Sequence, residues 1–133
     1  MYDLLADTTW LYRGVPYESP EVKDVQAIGE VRPRRPDRIG ESWRDRHVSG
    51  ENTETGYTSW STDRSFAEAA AAASSEDAGL SGQIVIFRVR VESVSEDRIF
   101  PGRDDEDEWL IEGTVEDVGI SDGDVYDDEE DDD

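Results

Sequence analysis

Three short segments carry the side chains that could do chemistry. The run WLYRGV contains Arg13, the run GYTSWSTD contains Ser59 and Ser61, and the run DEDEWLIEG contains Glu106 and Glu108. A guanidinium can form two parallel hydrogen bonds to a phosphate, which a lysine cannot reproduce. A fixed carboxylate lowers a reaction barrier when positive charge develops beside it. These residue types therefore suit a site that binds a phosphate and stabilises a cation.

Each segment also has an ordinary structural interpretation. Arg13 could be a solvent-facing charge on an edge strand, and Ser59 and Ser61 could be hydroxyls on the surface of a sheet. The Glu-x-Glu pair is weak by itself because the chain holds 35 acidic residues. Glu108 is favoured over the other acids because it directly precedes the apolar run Trp-Leu-Ile, where a rigid strand would hold it.

Strand patterns surround all three segments. Runs of β-branched and aromatic residues predict strands over 10–15, 56–62, 83–91 and 108–113, with a last strand within 114–120. The strand 83–91 begins with residues that are apolar on both faces, so we expect it to lie inside a sheet.

Two helices separate these strands. One follows Ser19 and has Pro20 at its first position, as is common at helix starts. The other is the alanine-rich run 64–77, with Asp63 or Ser65 as its cap. Together with the strands they predict a single α+β domain over residues 1–121.

Two charged stretches fit no regular element. Residues 31–49 contain two prolines, a glycine and six of the twelve arginines, which predicts an irregular basic loop. Its arginines could balance neighbouring acids on the surface, or they could contact a ligand or partner. Residues 122–133 form an acidic C-terminal tail that cannot bury apolar surface.

The order of the three segments resembles the arginine–serine–glutamate class of ADP-ribosyltransferases. WLYRGV is similar to an aromatic strand that bears the family arginine, GYTSWSTDRSFAEAAA to a Ser-Thr-Ser strand followed by a helix, and DEDEWLIEGTVEDVGI to a Glu-x-Glu pair before an apolar strand. The resemblance covers residues 10–120 and implies a split β-sandwich with flanking helices. The key residues would then converge on one cleft between two small sheets.

The resemblance also implies roles for individual residues. NAD would be the substrate, with one of its phosphates on Arg13. Glu108 would be the catalytic carboxylate that stabilises the ribosyl cation as nicotinamide leaves. Ser59 would hold that carboxylate, and Ser61 would support it.

Two further positions bear on specificity. Glu106 matches the residue that positions the acceptor, and a glutamate there implies arginine, in a protein or a small guanidino compound, as the acceptor. Trp60 stands where the family usually has Thr. It could pack under the nicotinamide of a bound NAD, or it could mark a segment that has drifted from the family pattern.

Three functions share these residues. The first is a mono-ADP-ribosyltransferase-like protein. The second is a non-catalytic structural or binding protein on the same fold, such as a component of a haloarchaeal virus particle that docks on neighbouring virion or host proteins. The third is an NAD glycohydrolase, in which water replaces the acceptor.

The composition indicates the cellular environment of the protein. The chain carries 35 acidic and 13 basic residues, a formal net charge of −22, and molar salt would relieve the repulsion by shortening the Debye length to about 3 Å. We therefore expect the cytoplasm of a halophilic archaeon, and nucleic acid is an unlikely partner. An acidic mimic that competes for nucleic-acid-binding proteins is the rival explanation for the charge.

The sequence also bears on metal sites and membrane spans. The chain has no cysteine and one histidine, His47, so we expect no metal site. No apolar run is long enough to suggest a membrane span.

Overall fold

Six strands and three α-helices make up the fold in the computed structural model, which describes residues 8–51, 54–77, 79, 83–102 and 108–121. The strands are β1 (Trp10–Pro16), β2 (Tyr57–Ser61), β3 (Ile84–Arg90), β4 (Ile99–Pro101), β5 (Glu108–Glu112) and β6 (Gly119–Ser121). The helices are α1 (Pro20–Ile28), α2 (Glu41–Ser49) and α3 (Arg64–Asp77), with short 3-10 turns at Val91–Ser93 and Glu96–Arg98. The predicted α+β class is confirmed.

Local chemistry explains where α1 and α3 begin. The Ser19 side chain accepts a hydrogen bond from the Glu21 N–H, and Gly29 ends α1 in the left-handed conformation. At the start of α3, the Asp63 carboxylate accepts from the Ser65 N–H at 2.9 Å. Asp63 is therefore the cap of α3, one of the two residues expected there.

The described strands form one antiparallel sheet in the order β4-β5-β2-β1-β3-β6. β1 pairs with β3 along its whole length, Trp10↔Arg90 to Pro16↔Ile84, and β2 pairs with β5 from Tyr57↔Glu112 to Ser61↔Glu108. Among the described residues, β1 and β2 share only the pair Tyr12↔Ser61. The described strands therefore form one sheet where two separate small sheets were expected, because this single pair joins its halves, β4-β5-β2 and β1-β3-β6.

Helix α3 packs on β1, and a glycine permits the close approach. A Cβ atom on Gly14 would overlap the Ala67 carbonyl oxygen and would lie 2.9 Å from the Ala71 Cβ atom. The alanines of α3 are small enough to bring the helix backbone down onto the strand at this point.

The main core contains apolar side chains from the sheet, from α1 and from the segments that flank β4 and β5. Its members are buried and include Leu11, Val15, Val22, Val25, Val31, Trp60, Val85, Phe87, Val89, Val91, Val94, Ile99, Trp109, Ile111, Val115 and Val118.

Two elements differ from the sequence-based expectation. The stretch 31–49 contains helix α2, which buries only His47 of its residues and so lacks an apolar face to reveal it. Contacts between arginines and an aromatic ring support α2 instead. The guanidinium carbons of Arg38 and Arg46 each lie 4.8 Å from the centre of the Trp43 ring. Strand β4, which lies outside the strands that the sequence predicts, has three residues and forms by pairing with β5.

Candidate active site at the split in the sheet

A cavity of about 440 Å³ lies beside the junction of β1 and β2, which share a single pair among the described residues. The residues that line it come from β1, β2, α3 and the first position of β5: Tyr12, Arg13, Gly14, Ser59, Trp60, Ser61, Phe66, Ala67, Ala69, Ala70 and Glu108. The structure thus brings Arg13, Ser59, Ser61 and Glu108 around one cavity, as the sequence predicted.

Arg13 spans the gap between the two halves of the sheet. One of its terminal nitrogens donates to the Ser59 backbone oxygen at 3.1 Å. Its Nε and its other terminal nitrogen donate to the two carboxylate oxygens of Glu21 at 2.8 and 2.9 Å. The guanidinium fork that was expected to meet a phosphate therefore holds a carboxylate from α1 in this structure, and the pair is mostly buried.

Ser59 belongs to a hydrogen-bonded chain that the sequence analysis missed. Its Oγ lies 2.9 Å from Nε2 of His47, and Nδ1 of His47 lies 2.7 Å from the Oγ1 of buried Thr55. Burial lowers the pKa of His47, the negative charge of Glu108 opposes this, and the positive charge of Arg13 adds to it, so that the pKa is below the ordinary value. The neutral ring is therefore favoured and fixes the Ser59 hydroxyl.

The register of β2 and β5 places Glu108 beside both serines. Ser61 is directly opposite Glu108, while Ser59 is opposite Leu110 and so stands diagonally to Glu108 on the same face. Ser61 also accepts a hydrogen bond from the Asp63 N–H at 3.0 Å, which ties the end of β2 to the start of α3. By register, Ser61 is the nearer of the two serines to Glu108.

Trp60 lines the cavity and is also buried in the core. It is 1% exposed, joins the main core, and donates from Nε1 to Thr58 at 2.8 Å. The alternation of β2 thus directs the indole to the interior, and its contact with a nicotinamide stays a prediction. Glu106 lies outside the described residues.

One wall of the cavity is apolar. Phe66, Ala69 and Ala70 project from α3 along it, and Phe66 is 39% exposed. An aromatic side chain and two methyl groups beside charged and hydroxyl groups are the usual lining of a site for a small molecule.

A second cavity, of about 330 Å³, lies against the same Arg13 and Ser59 and has a more polar lining. Its residues are Arg13, Glu21, Arg32, Arg34, His47, Glu54, Tyr57, Thr58 and Ser59. Two arginines of the stretch 31–49, Arg32 and Arg34, line this cavity and also pair with neighbouring acids. Their contact with a ligand or partner stays a prediction.

Comparison with protein-family models, with curated proteins and with solved structures finds no match. Across the described ranges, no helix has both the length and the apolar character needed to cross a membrane. In the same ranges, no group of three or more His, Cys, Asp or Glu side chains is arranged to hold a metal ion.

Proposed function

We propose that this chain is a mono-ADP-ribosyltransferase-like protein that moves ADP-ribose from NAD to an acceptor, with arginine as the acceptor side chain. One observation carries the proposal: Arg13, Ser59 and Glu108, which are far apart in sequence, line one cavity. The single pair that joins β1 and β2 beside this cavity divides the one sheet into the halves β4-β5-β2 and β1-β3-β6, and this division supports an ADP-ribosyltransferase-like split β-sandwich.

The chemistry assigns a task to each group. Loss of nicotinamide leaves positive charge on the ribose, and the Glu108 carboxylate at the cavity would stabilise that charge. The apolar wall of Phe66, Ala69 and Ala70 would receive the flat nicotinamide ring. Ser61 and Ser59, on the same strand face as Glu108, would keep the carboxylate in place.

The contact between Arg13 and Glu21 favours a second candidate, a non-catalytic binding or structural protein on this fold, such as a haloarchaeal virus particle component. In the first candidate a phosphate of NAD must displace Glu21 from the guanidinium or share it. In the second candidate, the ion pair of Arg13 and Glu21 is permanent and holds β1 and α1 together. An NAD glycohydrolase would use the same residues as the transferase, with water as the acceptor.

The test is incubation of the purified chain with labelled NAD in molar KCl, with free nicotinamide and labelled acceptor measured separately. Glu108→Gln should reduce both by orders of magnitude, a loss of roughly 3–4 kcal/mol of transition-state stabilisation, while NAD binding changes little. Glu116→Gln is the matched control, since Glu116 is an exposed acid shortly after β5.

Glu106→Gln separates transfer from hydrolysis. Labelling of arginine should collapse while slow release of nicotinamide survives, a split that general damage to the fold could not produce. Release of nicotinamide without any labelled acceptor in the wild type would identify the glycohydrolase. A wild type that neither binds nor cleaves NAD would leave the non-catalytic protein.

A further inference from the structure

The second cavity has a charge balance opposite to that of the chain. Three arginines, Arg13, Arg32 and Arg34, line it against two glutamates, Glu21 and Glu54. The chain as a whole carries a formal net charge of −22. Arginines exceed glutamates by one among the lining residues, although Arg32 also pairs with Glu30 outside the lining. Such a cavity is suited to an anion that can replace an exposed carboxylate, because each guanidinium presents several N–H donors in a plane.

Two of these arginines, Arg32 and Arg34, are exposed and pair with a nearby glutamate each. A terminal nitrogen of Arg32 lies 3.2 Å from Glu30, and one of Arg34 lies 3.6 Å from Glu54. The arginine side chains are 56% and 67% exposed, respectively. Ion pairs at such exposure contribute little, so both guanidinium groups can exchange their carboxylate for a better anion.

We propose that this cavity binds a phosphoryl group, with Arg32 and Arg34 as its ligands at the rim. A phosphoryl oxygen pair matches the planar fork of a guanidinium and makes shorter, stronger hydrogen bonds than those of the present surface pairs. Arg13 lines the inner wall and contributes its charge while it remains bonded to Glu21.

The carboxylate already inside the cavity shows the sign of the local field. Burial raises the pKa of Glu21, but the hydrogen bond from Arg13 and the charges of Arg13 and Arg34 outweigh it, so its pKa is below the usual value. The cavity therefore keeps one buried anion charged, with Arg34 acting on it as well as Arg13.

A phosphoryl group could reach this cavity from two sources, and the proposal on the cavity itself does not depend on NAD cleavage. One source is the diphosphate of the dinucleotide of the proposed function, since both cavities share Arg13 and Ser59. The other is a separate phosphorylated ligand. Pyrophosphate is the probe for the cavity, and ADP-ribose distinguishes the sources by competing with pyrophosphate or by binding beside it.

The experiment measures pyrophosphate binding to the full chain by calorimetry at a fixed KCl concentration. The variant with both Arg32→Gln and Arg34→Gln should bind at least about tenfold more weakly than the wild type, since charge-assisted hydrogen bonds are lost. Arg35→Gln is the matched control, because Arg35 directly follows Arg34 in the sequence but does not line the cavity. Arg35 is 45% exposed and pairs with Asp37. The affinity of this variant should stay within about twofold of wild type.

The cavity assignment is overturned if the wild type does not bind pyrophosphate, if the double variant binds like the wild type, or if Arg35→Gln weakens binding equally. Competition by ADP-ribose and simultaneous binding of ADP-ribose both support the site and differ only in the source. Pyrophosphate binding by a chain that cleaves no NAD would refute the transferase and leave the phosphoryl site standing. Circular dichroism checks that each variant is folded.

Discussion

Gly102 lies directly against the side chain of Glu108. A Cβ atom on the glycine would come within 2.7 Å of both Cγ and Oε1 of Glu108, and the Gly102 N–H donates to the Glu108 backbone oxygen at 2.9 Å. The missing side chain thus leaves the space in which the candidate catalytic carboxylate stands.

This contact predicts the effect of Gly102→Ala. The new methyl group should push the Glu108 side chain to another rotamer, and a displacement of about 1 Å can lower a rate by about a hundredfold. Nicotinamide release should fall steeply, while the melting temperature changes little because the Glu108 side chain is only half-buried. Full activity in Gly102→Ala would show that the position of Glu108 does not matter to the reaction.

A second prediction concerns pH. The pKa of His47 is lowered in the folded protein, so the unfolded chain binds more protons between that value and about 6.5. The contribution of His47 to stability is therefore complete above about pH 6.5 and decreases as the pH falls through the folded pKa, with a slope of at most about 1.4 kcal/mol per pH unit. Urea unfolding from about pH 5.5 to 7.5 measures it.

The control for this prediction is His47→Gln. This variant retains a polar side chain but cannot titrate at that position, so its unfolding free energy should change less with pH than that of the wild type. Both proteins carry the same carboxylates, so the difference between the two slopes belongs to His47. Equal slopes for the variant and the wild type would contradict the assignment of the pH dependence to His47.

A third prediction concerns the packing of α3. Gly14→Ala places a methyl group into the Ala67 carbonyl and close to Ala71, so the helix must move away from β1. We expect a loss of about 1–3 kcal/mol in the free energy of unfolding. Denaturant titration measures it, with Gly119→Ala as the control, because no atom lies within 4 Å of a Cβ at Gly119. An unchanged free energy of unfolding in Gly14→Ala would mean that α3 is only loosely packed on β1.

A fourth prediction separates the two main candidates for function. Glu21→Gln removes the charge that competes with a phosphate for Arg13, so the affinity for NAD should rise severalfold if Arg13 binds that phosphate. Equilibrium binding of NAD measures it, and Asp24→Asn removes one acid from the same helix as a control. A lower melting temperature with no gain in NAD binding would assign the pair of Arg13 and Glu21 to structure alone.

Most elements were predictable because they are encoded by neighbouring residues. Strand β3 shows as an apolar run, α1 follows a Ser-Pro start, and α3 follows a capping acid with an alanine run. Helix α2 was not predictable because it buries only one of its residues. Strand β4 has three residues and depends on a partner strand from another part of the chain.

The candidate site divides in the same way. Arg13, Ser59, Ser61 and Glu108 could be named from motif order, and all four line the cavity. His47 and Gly102 could not, because their roles come from contacts across the fold and their local sequence carries no motif. The bond between Arg13 and Glu21 was also hidden, since nothing in the sequence distinguishes Glu21 from the other acids.

The narrow junction between β1 and β2 has a consequence for how the cleft can change. The Ser59 carbonyl accepts a hydrogen bond from the guanidinium of Arg13, so this hydrogen bond between β1 and β2 is donated by a side chain and not by the backbone. Hydrogen bonds between backbone groups are the same for every residue type. A hydrogen bond donated by a side chain can be lengthened, shortened or removed by one substitution. We therefore expect that a substitution of Arg13 can change the width of this cleft without altering the order of the strands.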